Sequence, residues 1–383
     1  MSFISLGISE PLVAALQRGN ISTPYPIQTE VIPAILENKD VLGIAKTGSG
    51  KTLSYVLPIL MQVEKNTKAW VMKDRHVQVL VVVPTRELAA QVNAVCIKYI
   101  HESASDIKTL AVFGGASINP QMMAMRNVNI LIATPGRLLE LVSVNSVHLS
   151  AVKIVVLDEA DKMLAVGFEK EMDAVLALLP KKRQNLLFSA TLNEEIHSLE
   201  KVLLHDPVVI KMEEEPDSID LINQSAYYIA EEKKGPLLRY LIKSQDMQQV
   251  LVFTSSVARA DRVADKLHKN GIDAKAMHSK KSQGARTDLL RAFKAGRLRV
   301  LVTTDLLSRG IDIEVLPYVI NYELPRSPKI FIHRIGRTGR AGNFGEAITL
   351  VSPSEETHFH VIEKKMKKRV ARIDSDGFDL SKV

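Results

Sequence analysis

The stretch Ala45 to Thr52, AKTGSGKT, follows the apolar run Val41 to Ile44 and precedes the helix-like Leu53 to Leu57. A triphosphate needs several donors converging on a small volume, and Gly48 and Gly50 let the backbone curl so that successive N–H groups point inward. The dipole of the following helix adds to that field. Lys51 would place a point charge on the β and γ phosphates, and the Thr52 hydroxyl would hold Mg²⁺. Thr47 and Ser49 complete the cradle, and Ala45 replaces the first glycine of the general pattern GxxxxGK[ST], where a small residue still fits. An ordinary Gly-rich turn between strand and helix is the competing reading. Hydrolysis would demand a second, acidic site.

Val155 to Asp161, VVLDEAD, supplies one. Its three carboxylates fall where a buried strand ends, the edge of a parallel sheet at which ligands bind. Asp158 is placed to reach Mg²⁺ through its water shell, and Glu159 to orient and deprotonate the attacking water. An acidic turn capping a helix would account for one carboxylate better than for three. Together with the loop upstream, the pair points to a nucleoside triphosphatase.

Such residues need a sheet to carry them. Short continuous apolar runs recur at Val79 to Val83, Ile130 to Ala133, Ile154 to Leu157 and Leu186 to Phe188, then at Val250 to Phe253, Val300 to Val302, Val319-Ile320 and Ala347 to Val351. Continuous rather than alternating runs predict strands covered on both faces. Their alternation with amphipathic stretches predicts an α/β fold of mostly parallel sheets flanked by helices. The acidic, proline-containing segment Met212 to Ser218 lacks apolar periodicity and divides the runs into two groups. The expected organisation is a first domain over residues 1–211, a linker over 212–222 and a second domain over 223–383. The second group resembles the first layout used again, with Val250 to Thr254 as its first strand, but no GK[ST] loop follows that strand. One nucleotide site for two domains, shared at their interface, is the economical arrangement.

Bulk properties bound the remaining possibilities. A chain of 383 residues, 46% hydrophobic and 24% charged, is an ordinary globular composition for roughly two to three domains. The single cysteine, Cys96, excludes an intrachain disulfide and suits a reducing compartment. It sits at helical spacing among Val92, Val95 and Tyr99, as a small buried side chain would. No apolar run approaches the roughly 20 residues that cross a bilayer, and Met1-Ser2-Phe3 begins no basic leader, so a cytoplasmic protein without a membrane partner is expected. The net charge of +7 permits a polyanionic partner without requiring one. Two segments are less informative: residues 64–76, a polar excursion with Trp70, read as a surface loop, and the basic cluster Lys364 to Arg372 reads as the solvated face of a terminal helix.

Asp158 to Asp161 spells DEAD, and almost the whole chain resembles a DEAD-box RNA helicase of the second helicase superfamily. The resemblance rests on motifs in order: TPYPIQ ending at Gln28, AKTGSGKT, PTRELA from Pro84, Gly114-Gly115, TPGR from Thr134, DEAD, SAT from Ser189, VFTSS from Val252, QGAR from Gln283, TTDLLSRGID from Thr303 and HRIGRTGR from His333. It implies two RecA-like domains, ATP with Mg²⁺ as substrate and cofactor, and RNA as partner. The Gln28 amide would match the adenine edge, with Phe3 in its expected place. Ile21 departs from the family, where an aromatic commonly stands, so adenine stacking becomes apolar contact. Arg337 and Arg340 resemble the arginine fingers that reach the γ phosphate, with His333 and Arg334 on the same motif. A basic face binding RNA directly is the alternative for this cluster. Gly310 and Asp312 resemble second-domain contacts to phosphate and ribose, while Ser189 and Thr191, with Asp161, would couple the site to domain closure.

The remaining motifs resemble RNA contacts: Arg86, Gly115, Thr134 and Arg137 in the first domain, and Ser255, Ser256, Gln283, Arg286 and Thr304 in the second. Hydroxyls, amides and guanidiniums of this kind suit phosphate and 2′-OH groups, which track the backbone and ignore base identity. The expected activity is that of an ATP hydrolase and RNA helicase, working as a monomer on single-stranded RNA and short duplexes. Ribosomal or RNA-decay proteins are the expected further partners. An ATP-gated RNA clamp and a DNA helicase remain the alternatives.

Overall fold

The computed structural model describes residues 1–383 except 47, 67–73, 104–105, 166, 213–221, 306–315, 340–344, 375–377 and 379–383, together with the side chain of Gln283. Its contacts divide the chain into two units, Met1–Glu214 and Glu215–Val383. Trp70 and most of the expected linker, along with Thr47, Gly310, Asp312 and Arg340, lie outside the described residues.

The first unit carries a parallel sheet of β1 (Val41–Ile44), β2 (Val79–Val82), β3 (Thr109–Val112), β4 (Ile130–Ala133), β5 (Ile154–Leu157), β6 (Gln184–Ser189) and β7 (Val208–Lys211), in the spatial order β3-β4-β2-β5-β6-β1-β7. The second unit carries β8 (Ile222–Tyr228), β9 (Val250–Thr254), β10 (Ala274–Met277), β11 (Val300–Thr304), β12 (Tyr318–Asn321), β13 (Gly345–Val351) and β14 (Ala371–Asp374), in the order β10-β11-β9-β12-β13-β8-β14. Adding seven to each strand number of the first sheet gives the second, so one topology is used twice. That topology matches the expected pair of RecA-like α/β domains.

The strand sequences follow from burial on two faces. In β2, Val79 and Val81 join one apolar core while Leu80 and Val82 join the core on the other side. In β9, Val250 and Val252 face one core and Leu251 and Phe253 another. Each such side chain contributes about 1.5–3 kcal/mol on full burial, and any polar residue in these runs would forfeit it.

Two expectations need correction. Val250 to Thr254 is not the first strand of the second sheet: the counterpart of β1 is β8, whose mixed sequence INQSAYY hides it. Lys364 to Arg372 is not one helix face either. The helix Glu356–Met366 stops where Lys367 takes a left-handed φ of 54°, and Ala371 and Arg372 already belong to edge strand β14. Arg372 is exposed, yet it is engaged: its guanidinium bonds Glu363 and lies 5.6 Å from the centroid of the Tyr228 ring.

Candidate functional site

Parallel strands place all their carboxyl ends on one edge, and in the first unit β1, β5 and β6 bring three motifs together there. Ala45 donates its N–H to the Ser189 carbonyl at 3.0 Å, which ties the phosphate loop to the end of β6. Gly48 and Gly50 both have φ of 87°, a conformation that L side chains rarely adopt. At Gly50 space also forbids a side chain, since a Cβ would stand 2.5 Å from Gln28 Nε2 and 2.9 Å from the Tyr25 ring. Lys51 opens the helix Lys51–Lys65 and bonds the Ala45 carbonyl through Nζ, curled over its own loop. Burial lowers its pKa, against the opposing pull of Asp158, Glu159 and Asp161.

Asp158 is buried at the end of β5. Its Oδ2 accepts from the Tyr55 hydroxyl at 2.9 Å and its Oδ1 from the Glu159 N–H at 2.9 Å. Burial holds its carboxyl above the ordinary value in spite of the nearby Lys51 ammonium. Glu159 has a φ of 54°, an unusual backbone for a residue that bears a side chain, and such strain collects at sites where the surroundings over-determine it. Its Oε1 pairs with Lys162 Nζ at 2.5 Å, whereas its buried Oε2 makes no hydrogen bond among the described residues. An orphaned buried carboxylate oxygen costs about 1–3 kcal/mol or more, and here it is the oxygen that could accept a proton from water. Asp161 receives the Thr191 hydroxyl at 3.4 Å, and Ser189 Oγ donates to the Thr191 carbonyl at 2.7 Å, so the three expected coupling residues do touch. Asp158 and Thr52 offer only oxygen donors, the chemistry that Mg²⁺ requires, and the residues therefore fit that ion.

The residues expected at adenine are Gln28, Phe3 and Ile21. Gln28 is fully buried, and its amide is engaged at both ends: Oε1 accepts from the Tyr25 N–H at 2.9 Å, and Nε2 donates to the Gly50 carbonyl at 3.1 Å. Phe3 is 1% exposed and packs in the core rather than offering a ring face, because the turn Ile4–Leu6 carries it inward. Ile21 packs partly buried against the same core.

The expected RNA residues of the first unit follow β2, β3 and β4, which are neighbours in the sheet. Thr85 caps the helix Arg86–Glu102 by accepting from the Leu88 N–H, and so presents Arg86 at its first turn. The Arg86 guanidinium lies against Gly115, whose φ is 72° and where a Cβ would stand 2.2 Å from Nη1. Arg137 is buried, with Nε donating to Glu140 at 2.7 Å and Nη2 to the Ala116 carbonyl at 2.9 Å. It therefore braces the Gly114–Ala116 turn from inside. Thr134 stands at the N-cap position of the helix Pro135–Ser143 beside it and is buried as well.

In the second unit, Ser255 donates through both N–H and Oγ to Glu323 Oε2, each at 2.8 Å, while Ser256 caps the helix Val257–Lys269. Thr304 and Arg286 are buried, and the side chain of Gln283 lies outside the description. Arg334 is fully buried: it bonds both oxygens of Asp305, the Asn321 side chain and the Glu323 carbonyl, and it lies 5.0 Å from the Phe253 centroid. It holds this unit together, whereas His333 is half-buried and Arg337 is 5% exposed. Sequence reasoning missed Tyr55, Lys162 and Glu323. Lys162 had a signal, since it lies one helical turn after Glu159; the other two are joined to their partners only by the fold.

The chain matches known families along both units. Residues 25–199 match the DEAD/DEAH box helicase family and residues 232–342 the helicase conserved C-terminal domain. The DEAD-box ATP-dependent RNA helicase CshA of Geobacillus kaustophilus is 36% identical over 379 residues, covering 99% of this chain and 79% of the relative. The ATP-dependent RNA helicase CshA of Listeria monocytogenes is 36% identical over 98% of this chain and 71% of its own length. Among solved structures, S. cerevisiae Dbp5 bound to RNA and ADP BeF3 matches with a TM-score of 0.84 at 28% identity, over 100% of this chain and 99% of that one. A DEAD box protein from Methanococcus jannaschii matches with a TM-score of 0.55 at 35% identity, over 97% of this chain and 99% of that one. With its motifs in order on two sheets of one topology, the chain belongs to the DEAD-box ATP-dependent RNA helicases.

Proposed function

We propose that this RNA helicase binds ATP and single-stranded RNA cooperatively, and that its two units close on both to unwind short duplexes or remodel RNA–protein assemblies. The observation that carries the reading is the division of labour. The sequence has one GK[ST] loop, in the first unit, while the arginines able to complete a phosphate site, Arg337 and Arg340, stand in the second. Neither unit holds a full set of hydrolytic groups.

Lys51 would leave the Ala45 carbonyl for the β and γ phosphates, with Thr47, Gly48, Ser49, Gly50 and the helix dipole supplying the remaining donors. Thr52 and Asp158 would hold Mg²⁺, which neutralises phosphate charge when bound. Glu159 keeps one oxygen held by Lys162 and turns the other to the attacking water. Gln28 would then read the adenine edge with what its amide has left over, while Gly310 and Asp312 meet phosphate and ribose from the second unit. Ser189, Thr191 and Asp161 would carry the change of state between the units.

Arg86, Gly115, Thr134 and Arg137, with Ser255, Ser256, Gln283, Arg286 and Thr304, would line the RNA path. Since Thr134, Arg137, Arg286 and Thr304 are buried, they would act chiefly by shaping the loops whose amides meet phosphate. Closure would bend the strand so that a neighbouring duplex cannot continue, and hydrolysis would reopen the pair. A chain that carries both half-sites suits action as a monomer. Its single buried cysteine suits the cytoplasm, where ribosomal or RNA-decay proteins would direct it to targets.

Replacing Arg337 with Ala should abolish RNA-stimulated ATP hydrolysis, by about 10³-fold or more if it acts as an arginine finger, while nucleotide binding stays close to wild type. Unchanged turnover would reject the shared site.

A further inference from the structure

Tyr55 belongs to none of the motifs that define this family, yet it lies between the two residues expected at magnesium. It follows Thr52 by three residues on the helix that starts at Lys51, so both side chains share a helix face. Its ring is fully buried and packs on Phe188 of β6, with centroids 5.3 Å apart. Its hydroxyl donates to Asp158 Oδ2 at 2.9 Å. A carboxylate in so dry a place cannot rely on water to choose its rotamer. The other Asp158 oxygen is fixed by the backbone N–H of Glu159, so among the described residues the phenol is the one side chain that orients this carboxylate by a hydrogen bond.

We propose that the Tyr55 hydroxyl is a positioning group for the magnesium site, holding Asp158 in the orientation that meets the metal's water shell and tying it to the Thr52 end of the phosphate-loop helix. The inference rests on the magnesium reading above. Each Asp158 oxygen, taken up by one hydrogen bond, still has a lone pair for a metal-bound water. Outer partners of this kind fix the ligand's angle, and their removal typically costs about 10–100-fold in metal affinity.

Tyr55→Phe removes one oxygen and leaves the ring packing on Phe188. The test is binding of a fluorescent ADP analogue to the full chain, titrated with Mg²⁺ and repeated in EDTA. The variant should bind the analogue in EDTA as the wild type does, yet need about tenfold more Mg²⁺ for half-maximal metal-dependent binding. An unchanged Mg²⁺ midpoint would overturn the proposal, as would an equal loss with and without metal, which would mean that Tyr55 merely supports the loop. If the wild type itself showed no effect of Mg²⁺, the magnesium reading would fail and this proposal with it, whereas a wild-type response that Tyr55→Phe leaves unchanged would overturn this proposal alone. Should Tyr55→Phe not fold, the 19F resonance of 3-fluorotyrosine at position 55 in the otherwise native chain gives the answer. It should move when Mg²⁺ joins ADP but not with ADP alone, and a resonance indifferent to Mg²⁺ would reject the proposal.

Discussion

Glu159 shows how a single position can be at once costly and useful. Its left-handed backbone and its unbonded Oε2 oppose stability, its Lys162 partner offsets part of that cost, and one carboxylate oxygen is left unbonded in a buried site. Glu159→Gln keeps the shape and removes the base, so turnover should fall by about 10²–10⁴-fold with nucleotide and RNA binding preserved. Single-turnover kinetics beside equilibrium binding will separate the two effects. Asp158 carries a related cost: with burial holding its carboxyl above the ordinary range, its charge opposes folding at neutral pH until a cation joins it. The residue types at these positions were legible in the sequence because phosphate and water chemistry restrict them severely. The bond from the Gln28 amide to the Gly50 carbonyl was not, because a hydrogen bond across 22 residues of sequence depends on how two elements meet.

At the scale of elements, the second unit is pinned by buried charge. Lys234 is fully buried between Glu231 at 3.1 Å and Glu355 at 2.5 Å, and Glu355 also accepts from Ser352. Burial alone would push the Glu355 carboxyl up, but the bonds from Lys234 and Ser352 outweigh it and bring it below the ordinary 4.5. Glu323 and Glu363 are lowered in the same way, the first by Ser255 and Arg259, the second by the Val370 N–H and Arg372. A depressed carboxyl stabilises the fold above its unfolded pKa and withdraws that support as pH falls through the folded value. Stability of this unit should therefore decline between about pH 5 and pH 3, and Glu355→Gln should flatten the decline, as read by chemical denaturation at each pH. The helical elements and the interior strands other than β8 were visible from apolar spacing. The strands that escaped include β3, β7, β10 and β14, the four edges of the two sheets, and an edge strand is free to carry Lys275 or Arg372 because one of its sides has no neighbour to bury it.

At the scale of the whole molecule, each unit has its own sheet and its own cores, so each is expected to fold alone. Residues 1–211 expressed by themselves should bind the ATP analogue, which calorimetry would detect, yet show no stimulation of hydrolysis by RNA. Stimulation comparable to that of the full chain would show that the second unit contributes nothing to the chemistry. Composition, motif order and apolar period determined the α/β class, the repeated layout and the identity of the phosphate, acidic and arginine motifs, because each depends on residue type and short-range spacing. The duplication of strand order, the bracing role of Arg137 and Arg334, and the Tyr55 bond to Asp158 were decided only by the tertiary structure. Strand order depends on which distant segments pair, and for the side-chain bonds the physical reason is that a buried polar group is satisfied by whatever donor or acceptor the packing brings within about 3 Å, a partner that can lie anywhere along the chain.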